Sequence, residues 1–397
     1  MNKFLIQKIK WDKSSIKEVC LINPSKRELC ELDYSLKVSF GMMDELPEHK
    51  PFFTPFNTRT YKDVQKGGYT YFIEGDVLLA KMTPCFENGK SGIATNLKNG
   101  IGFGSTEFFV LRPFQKVIPY WIYSIISSDV FINKGKYSLV GTTGRRRLMK
   151  QFVENFEIPL PPLQEQKQLA ELFQSLDETI DQTETQQGNF RKLRTHLASE
   201  LVSINPKFGN LLNGNCKKIL LSDIAIESRS TAQSPTNEGI EKFVGLEHIE
   251  SANLKIQGGG NVADGTTFTK VFEIGDVLFG RRRAYLKKAA KADFKGLCSG
   301  DITVLKANTK KILPELLPYY MSSDPVFEFA VRISAGSLSP RAKWKDLSKM
   351  ELAIPDLKTQ KEILKVFHLL DKNIDGLTIQ KETLKKLKHK LLDEILG

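Results

Sequence analysis

From Pro161 to Ser203, apolar residues recur in alternating steps of four and three: Leu169, Phe173, Leu176, Ile180, then Phe190, Leu197 and Leu201. Thr183, Gln187 and Arg194 occupy the polar seats of the same seam. That spacing is a heptad and predicts a helix with one continuous buried stripe. Pro355 to Gly397 repeats it as Ile363, Phe367, Leu370, Ile374, Leu377, Lys381, Leu384, Lys388, Leu391 and Ile395, with Phe367 lying 194 residues after Phe173. About 40 helical residues at 1.5 Å each make a rod of roughly 60 Å, longer than an ordinary core helix. Two such stripes at a fixed offset predict rods that pair. A coiled-coil dimerisation arm carries the same heptads and is the competing reading.

The segments before each rod read as mixed α and β. Tyr71 to Ala80 is a Gly75-Asp76 turn feeding an apolar strand, Phe108 to Arg112 is a second strand, and Ile118 to Asn133 reads as one helix with Pro119 in its first turn. The order then recurs. Gly275 and Asp276 stand 200 residues after Gly75 and Asp76, Val304-Leu305-Lys306 matches Val110-Leu111-Arg112, and Ser322-Ser323-Asp324 matches Ser127-Ser128-Asp129. The Gly336 to Arg341 loop stands where Gly141 to Arg146 stood, while Asp44 to Gly68 and His248 to Lys270 show no match to each other. Asn205-Pro206 and Asn213-Gly214-Asn215 break the helix and mark a linker. The expected organisation is therefore a globule over 1–157, a rod over 158–204, a globule over 205–352 and a rod over 353–397, an α+β fold with a pseudo-twofold internal repeat.

Composition refines this picture. Lys and Arg total 58 against 46 Asp and Glu, a formal charge of +12 that favours a polyanionic partner, nucleic acid first. Five scattered cysteines, Cys20, Cys30, Cys85, Cys216 and Cys298, give neither a disulfide framework nor a zinc spacing and fit a reducing cytoplasm. No apolar run approaches a membrane span, so no membrane partner is expected.

Motifs for chemistry are missing. There is no Gly-x-x-x-x-Gly-Lys-Ser/Thr loop. Gly100-Ile101-Gly102-Phe103-Gly104 lies before a strand and reads as a turn rather than a cofactor loop. Asn23-Pro24-Ser25-Lys26 lacks the residues that an amino-methyltransferase motif needs to hold a flipped base. Asp76 and Lys81 suggest a nuclease metal site, but Leu79 and its counterpart Phe279 stand where the second carboxylate belongs. The five histidines are isolated. No catalytic residue, metal ligand or cofactor is expected.

What remains is positive charge at matching places. Arg145, Arg146 and Arg147 share one Gly-rich turn; Arg281, Arg282 and Arg283 follow the Gly275-Asp276 strand, with Lys81 as the first-copy counterpart of Arg281; Arg341 and Lys343 belong to the second Gly-rich loop. Arginine forks onto guanine or clamps phosphate, whereas lysine supplies a point charge. These nine residues are the expected DNA contacts, against the plainer reading of solvated surface charge.

The first rod opens with Ile158-Pro159-Leu160-Pro161-Pro162-Leu163-Gln164-Glu165-Gln166 and the second with the reduced form Ile354-Pro355-Asp356-Leu357-Lys358-Thr359-Gln360. With the duplicated globule and rod plan, this resembles the specificity subunit of type I restriction-modification systems over essentially the whole chain. The resemblance implies two target recognition domains separated by antiparallel spacer helices, each domain reading half of a split asymmetric site in double-stranded DNA. It also implies two docked methyltransferase subunits and, in the full complex, restriction and translocase subunits that carry the chemistry. The rods are then both ruler and docking site, with Gln166, Phe173, Ile180, Gln360, Phe367 and Ile374 as the partner-binding positions. A coiled-coil adaptor without DNA readout is the alternative.

Overall fold

The computed structural model describes residues 11–29, 32–142, 144–203, 208, 212, 216–334 and 340–396. The linker residues 205–206 and 213–215, and 336–339 of the second Gly-rich loop, lie outside them. The chain forms two compact units, one of residues 1–183 with 380–397 and the other of residues 184–379. No described helix is long and apolar enough to cross a membrane.

Unit 1 holds two principal sheets. The first has the order Cys20–Ile22, Phe108–Pro113, Val77–Ala80, Ser91–Ala94, Phe52–Phe53, and the second Asn57–Thr60, Lys37–Gly41, Ile101–Gly104, Thr70–Ile73. Unit 2 repeats the second order in full and the first without its fifth strand. Its first sheet runs Ala225–Ser228, Ile302–Ala307, Val277–Gly280, Ala289–Lys291, and its second Gly260–Asn261, Lys242–Val244, Gly296–Cys298, Lys270–Phe272. In each second sheet the central pair is parallel and the flanking pairs antiparallel. The Gly-Asp turns work alike in both units. Gly75 and Gly275 take φ values of 84° and 89°, and the Asp76 and Asp276 carboxylates accept the Ile73 and Glu273 N–H groups at 2.8 and 2.9 Å.

Two expected elements differ. Ile101–Gly104 is a strand of the second sheet. Its glycines serve packing: a Cβ on Gly102 would stand 2.1 Å from the Phe72 ring, and one on Gly104 would stand 2.5 Å from the Gly41 carbonyl. The segment expected as one helix from Ile118 to Asn133 is two, Pro119–Ile126 and Asp129–Lys136, because the Ser128 hydroxyl accepts the Phe131 N–H and starts the chain afresh.

The long helices run Leu163–Val202 and Leu357–Leu396. Phe173, Ile180, Gln187, Arg194 and Leu201, seven apart, are all at most 8% exposed. In unit 1 the first segment packs antiparallel to the last residues of the chain, Ala170 and Phe173 sharing a core with Leu391, Leu392, Ile395 and Trp121. Lys388 there bonds Asp177 at 2.6 Å, and Asp177 also accepts the Tyr120 hydroxyl at 2.7 Å. Unit 2 has the same node, with Asp371, 194 positions after Asp177, held by Arg194 and Tyr319. Gln187 also donates to Thr378. Three polar seats of the seam, Gln187, Arg194 and Lys388, are thus filled by partners that exist at one register only, the device by which a buried polar residue fixes helix alignment.

Candidate nucleic-acid interface

In unit 1, the strand Val77–Ala80 delivers Lys81 to the end of the first sheet. The Lys81 N–H bonds the Glu107 carbonyl, and the Lys81 carbonyl accepts from Leu148 N–H, both at 2.8 Å. This pins the loop after Val140 across the strand ends. Unit 2 builds the same clasp with Arg281, whose N–H bonds the Asp301 carbonyl at 2.9 Å and whose carbonyl accepts from Ala342 N–H at 2.8 Å. The register of the clasp aligns Arg341 with Arg147, since Arg341 bridges to Arg282 as Arg147 bridges to Met82.

The acid that opens the neighbouring strand holds the arginine of the loop. Arg147 forks onto Glu107 at 2.7 to 3.2 Å, and Arg341 meets Asp301 at 2.7 Å. Arg282 reaches the second Asp301 oxygen at 3.2 Å and Arg146 reaches Glu87 at 3.1 Å. Four of the nine expected DNA contacts are thereby paired with acids of their own unit. Lys81, half-buried, donates to the Thr106 carbonyl at 2.9 Å, and burial pushes its ammonium below the usual lysine range. Arg145, Arg283 and Lys343 are exposed. Arg283 and Lys287, at φ 52° and 49°, bracket a short turn that leaves Tyr285 56% exposed beside the arginine run. Arg281 keeps its Nε buried without a partner among the described residues.

The Arg147 hydrogen bond holds the Glu107 carboxyl below the ordinary range. At Asp301 burial opposes ionisation, yet the bonds from Arg341 and Arg282 outweigh it and lower its pKa. Such a carboxyl ionises more readily folded than unfolded. Its tether therefore contributes fully above the unfolded pKa of about 4 and is lost as pH falls through the lower folded value. Amide exchange at Arg283 and Ala342, which donate to the Pro340 and Arg281 carbonyls, is expected, once corrected for its intrinsic rate, to hold steady from about pH 8 to 5 and rise below about pH 4. Loosening between pH 7 and 6 would mean that another group holds the loop.

The six positions expected on a docking face lie elsewhere. Gln166, Phe173, Gln360 and Phe367 are 0% exposed, Ile180 8% and Ile374 6%. Gln166 and Gln360 clamp the loops before their own helices, and Phe173 and Phe367 sit in the cores of units 1 and 2. These side chains are spent within the chain, so a partner would meet the opposite helix faces, where Leu172, Leu369 and Leu387 are exposed.

The nuclease and methyltransferase hints resolve as structure. Asp76 is 1% exposed and forked by Arg112 at 2.8 and 2.9 Å. Asn23, at φ 55°, accepts the Val110 N–H on its side chain at 3.0 Å. Sequence reading missed the tethering acids Glu107 and Asp301, although they keep the 194-residue offset of the strands they precede. It also missed Arg59, whose guanidinium lies 3.6 Å from the centre of the Phe40 ring.

The family model for the type I restriction modification DNA specificity domain matches residues 8–189 and 247–388. Among curated proteins, the chain is 38% identical over 178 residues to the specificity subunit of the type I restriction enzyme EcoAI of Escherichia coli. It is 35% identical over 177 residues to that of EcoEI from the same species. Each match takes in 44% of this chain and spans only 29% of the relative's length. A putative MjaX specificity subunit of Methanocaldococcus jannaschii is 25% identical over 339 residues, 82% of this chain and 78% of that protein. The fold is shared with a chain from a structural study of complex assembly and conformational transition in the type I R-M system, at 18% identity, TM-score 0.59 and 98% of both chains. It is shared too with the S subunit of the type I system from M. genitalium, at 15% identity, TM-score 0.53, 99% of this chain and 98% of that one.

Proposed function

The chain belongs to the type I restriction modification DNA specificity family, and from that premise we propose that it is the DNA-reading specificity subunit of a type I restriction-modification complex in the cytoplasm. Each unit reads one half of a bipartite, asymmetric site, and the long helices fix the gap between halves, as dimer geometry fixes half-site spacing elsewhere. Two methyltransferase subunits dock on the assembly, restriction and translocase subunits complete it, and methyl transfer and cleavage belong to them. This chain contributes no catalytic group, metal or cofactor.

The observation that carries this reading is the repeated clasp. The same strand end, acid and loop arginine recur as Lys81, Glu107 and Arg147 in unit 1 and as Arg281, Asp301 and Arg341 in unit 2. Around the clasp, exposed Arg145, Arg283 and Lys343 supply charge for phosphates. The acids keep Arg147 and Arg341 oriented and let them exchange a carboxylate for an acceptor on DNA. A scaffold used for protein contacts alone has no need to present guanidinium groups at one matching strand end of two otherwise diverged modules.

Mapping modified adenines genome-wide, with and without the chain, tests the reading. A split motif that disappears on deletion is expected. Exchanging residues 205–352 for the equivalent of a relative should rewrite one half of that motif, and adding one helical turn to both long helices should change its gap. If both halves changed on the exchange, the units would not read independently.

A further inference from the structure

We propose that Arg59 reads a guanine in the half-site of unit 1, a step that rests on the DNA-reading function above and adds a specificity-determining residue to it.

Arg59 sits on the edge strand Asn57–Thr60 of the second sheet, paired with Val38. Its guanidinium stacks on Phe40, itself only 2% exposed, at 3.6 Å from the ring centre. Nη1 donates to the Tyr69 hydroxyl at 3.2 Å, and Tyr69 in turn packs edge-on against Phe40 with ring centres 5.0 Å apart. The group is fixed in two ways, by a ring beneath it and a hydroxyl at one corner. The remaining donors of its fork have no acceptor among the described residues, and the residue is exposed. This separates it from Arg146, Arg147, Arg282 and Arg341, each of which faces a carboxylate. A planar, pre-oriented fork with open donors matches the paired acceptors O6 and N7 of guanine in the major groove, and ordering the side chain in advance removes part of the entropy cost of reading.

The anchor of Arg59 is also part of a basic groove. A groove of about 410 Å³ runs between Tyr69, its anchor, and Lys81, with Lys26 and Thr106 along its walls. Lys81 belongs to the clasp that holds Arg147, so the ring that anchors Arg59 and a cation of the strand end line the same groove of unit 1. Lys26 is held on that face by the Gln65 and Gly67 carbonyls at 2.7 and 2.8 Å.

Unit 2 marks this as a module-specific feature. Its second sheet has the same strand order and register, which puts Phe243 where unit 1 has Phe40. There the ring is covered by Phe268 at 5.4 Å, edge-on, and no arginine stacks on it among the described residues. Asn57 to Thr60 lies in the stretch that has no sequence match between the units, where two modules reading different half-sites are expected to differ.

The test uses the assembled complex on the duplex its methylation map defines, with 7-deazaguanine, which lacks the N7 acceptor, placed at each guanine of the first half in turn. Wild-type binding should fall about ten- to a hundred-fold at one position. Arg59→Ala and Arg59→Lys should lose a similar factor on the natural duplex and be indifferent to that replacement, while still discriminating every base of the second half. Tyr69→Phe should lose less. Arg59→Ala binding equally weakened on target and unrelated duplexes would make Arg59 a phosphate contact and overturn the proposal. So would unchanged binding, or a first half without guanine. A wild-type complex with no preferred duplex at all would instead overturn the DNA-reading function on which the proposal rests.

Discussion

Gln360→Met should cost unit 2 about 3 kcal/mol and open the chain where the second long helix begins. The Gln360 side chain is 0% exposed and satisfies three backbone groups. Its amide donates to the Lys311 and Pro355 carbonyls, both at 2.9 Å, and its carbonyl accepts the Leu313 N–H at 2.9 Å. Methionine has the volume but none of the hydrogen bonds, so three peptide groups are left desolvated, each costing about 1 kcal/mol or more. Gln166 binds the Lys116 and Pro161 carbonyls and the Ile118 N–H in the same way in unit 1. Gln166→Met should therefore cost a similar amount there. Urea unfolding with amide exchange resolved by unit separates the two. A loss under about 1 kcal/mol at either site would mean that the clamp is incidental to the fold.

The second large effect is expected to differ between the units. Arg112→Met leaves Asp76, 1% exposed, without the guanidinium that forks it, and removing one partner of a buried pair costs about 3 to 5 kcal/mol. The matching Lys306 stands 4.0 Å from Asp276 with 45% of its side chain exposed, so Lys306→Met should cost less than about 1 kcal/mol. The deficit of Arg112→Met should narrow as pH falls. Burial raises the Asp76 pKa, and without Arg112 the folded protein holds that proton more tightly than the unfolded chain. Equal losses in the two units, or a deficit independent of pH, would contradict this account.

Periodic features were legible from the sequence. The heptads, the 194-residue offset and the Gly-Asp turns each follow from local spacing, and each names the backbone geometry it requires. What was hidden depended on residues far apart in the chain. Gly102 belongs to a strand because Phe72 needs its space, and no local pattern announces that. The arginine runs read alike in sequence, yet Arg147 is committed to Glu107, 40 positions away, while Arg59 is held by Phe40 and Tyr69, neither of them in a basic run. The heptad marks a buried stripe but says nothing about what buries it: Phe173 and Phe367, expected to meet partners, are covered by the chain's own cores. The break at Ser128 was readable: a serine followed by Asp129 is a helix start.

The division into units has a consequence for biosynthesis. Unit 2 is one uninterrupted stretch, 184–379, whereas unit 1 is closed by residues 380–397, which place Leu391, Leu392 and Ile395 against Phe173 and Trp121. A ribosome translating this message exposes the first module early but delivers residues 380–397 only after the whole of the second module, so the second module completes first. The first must wait as an open core, held by local contacts, for about as long as 200 further codons take at roughly 5–20 residues per second, some tens of seconds.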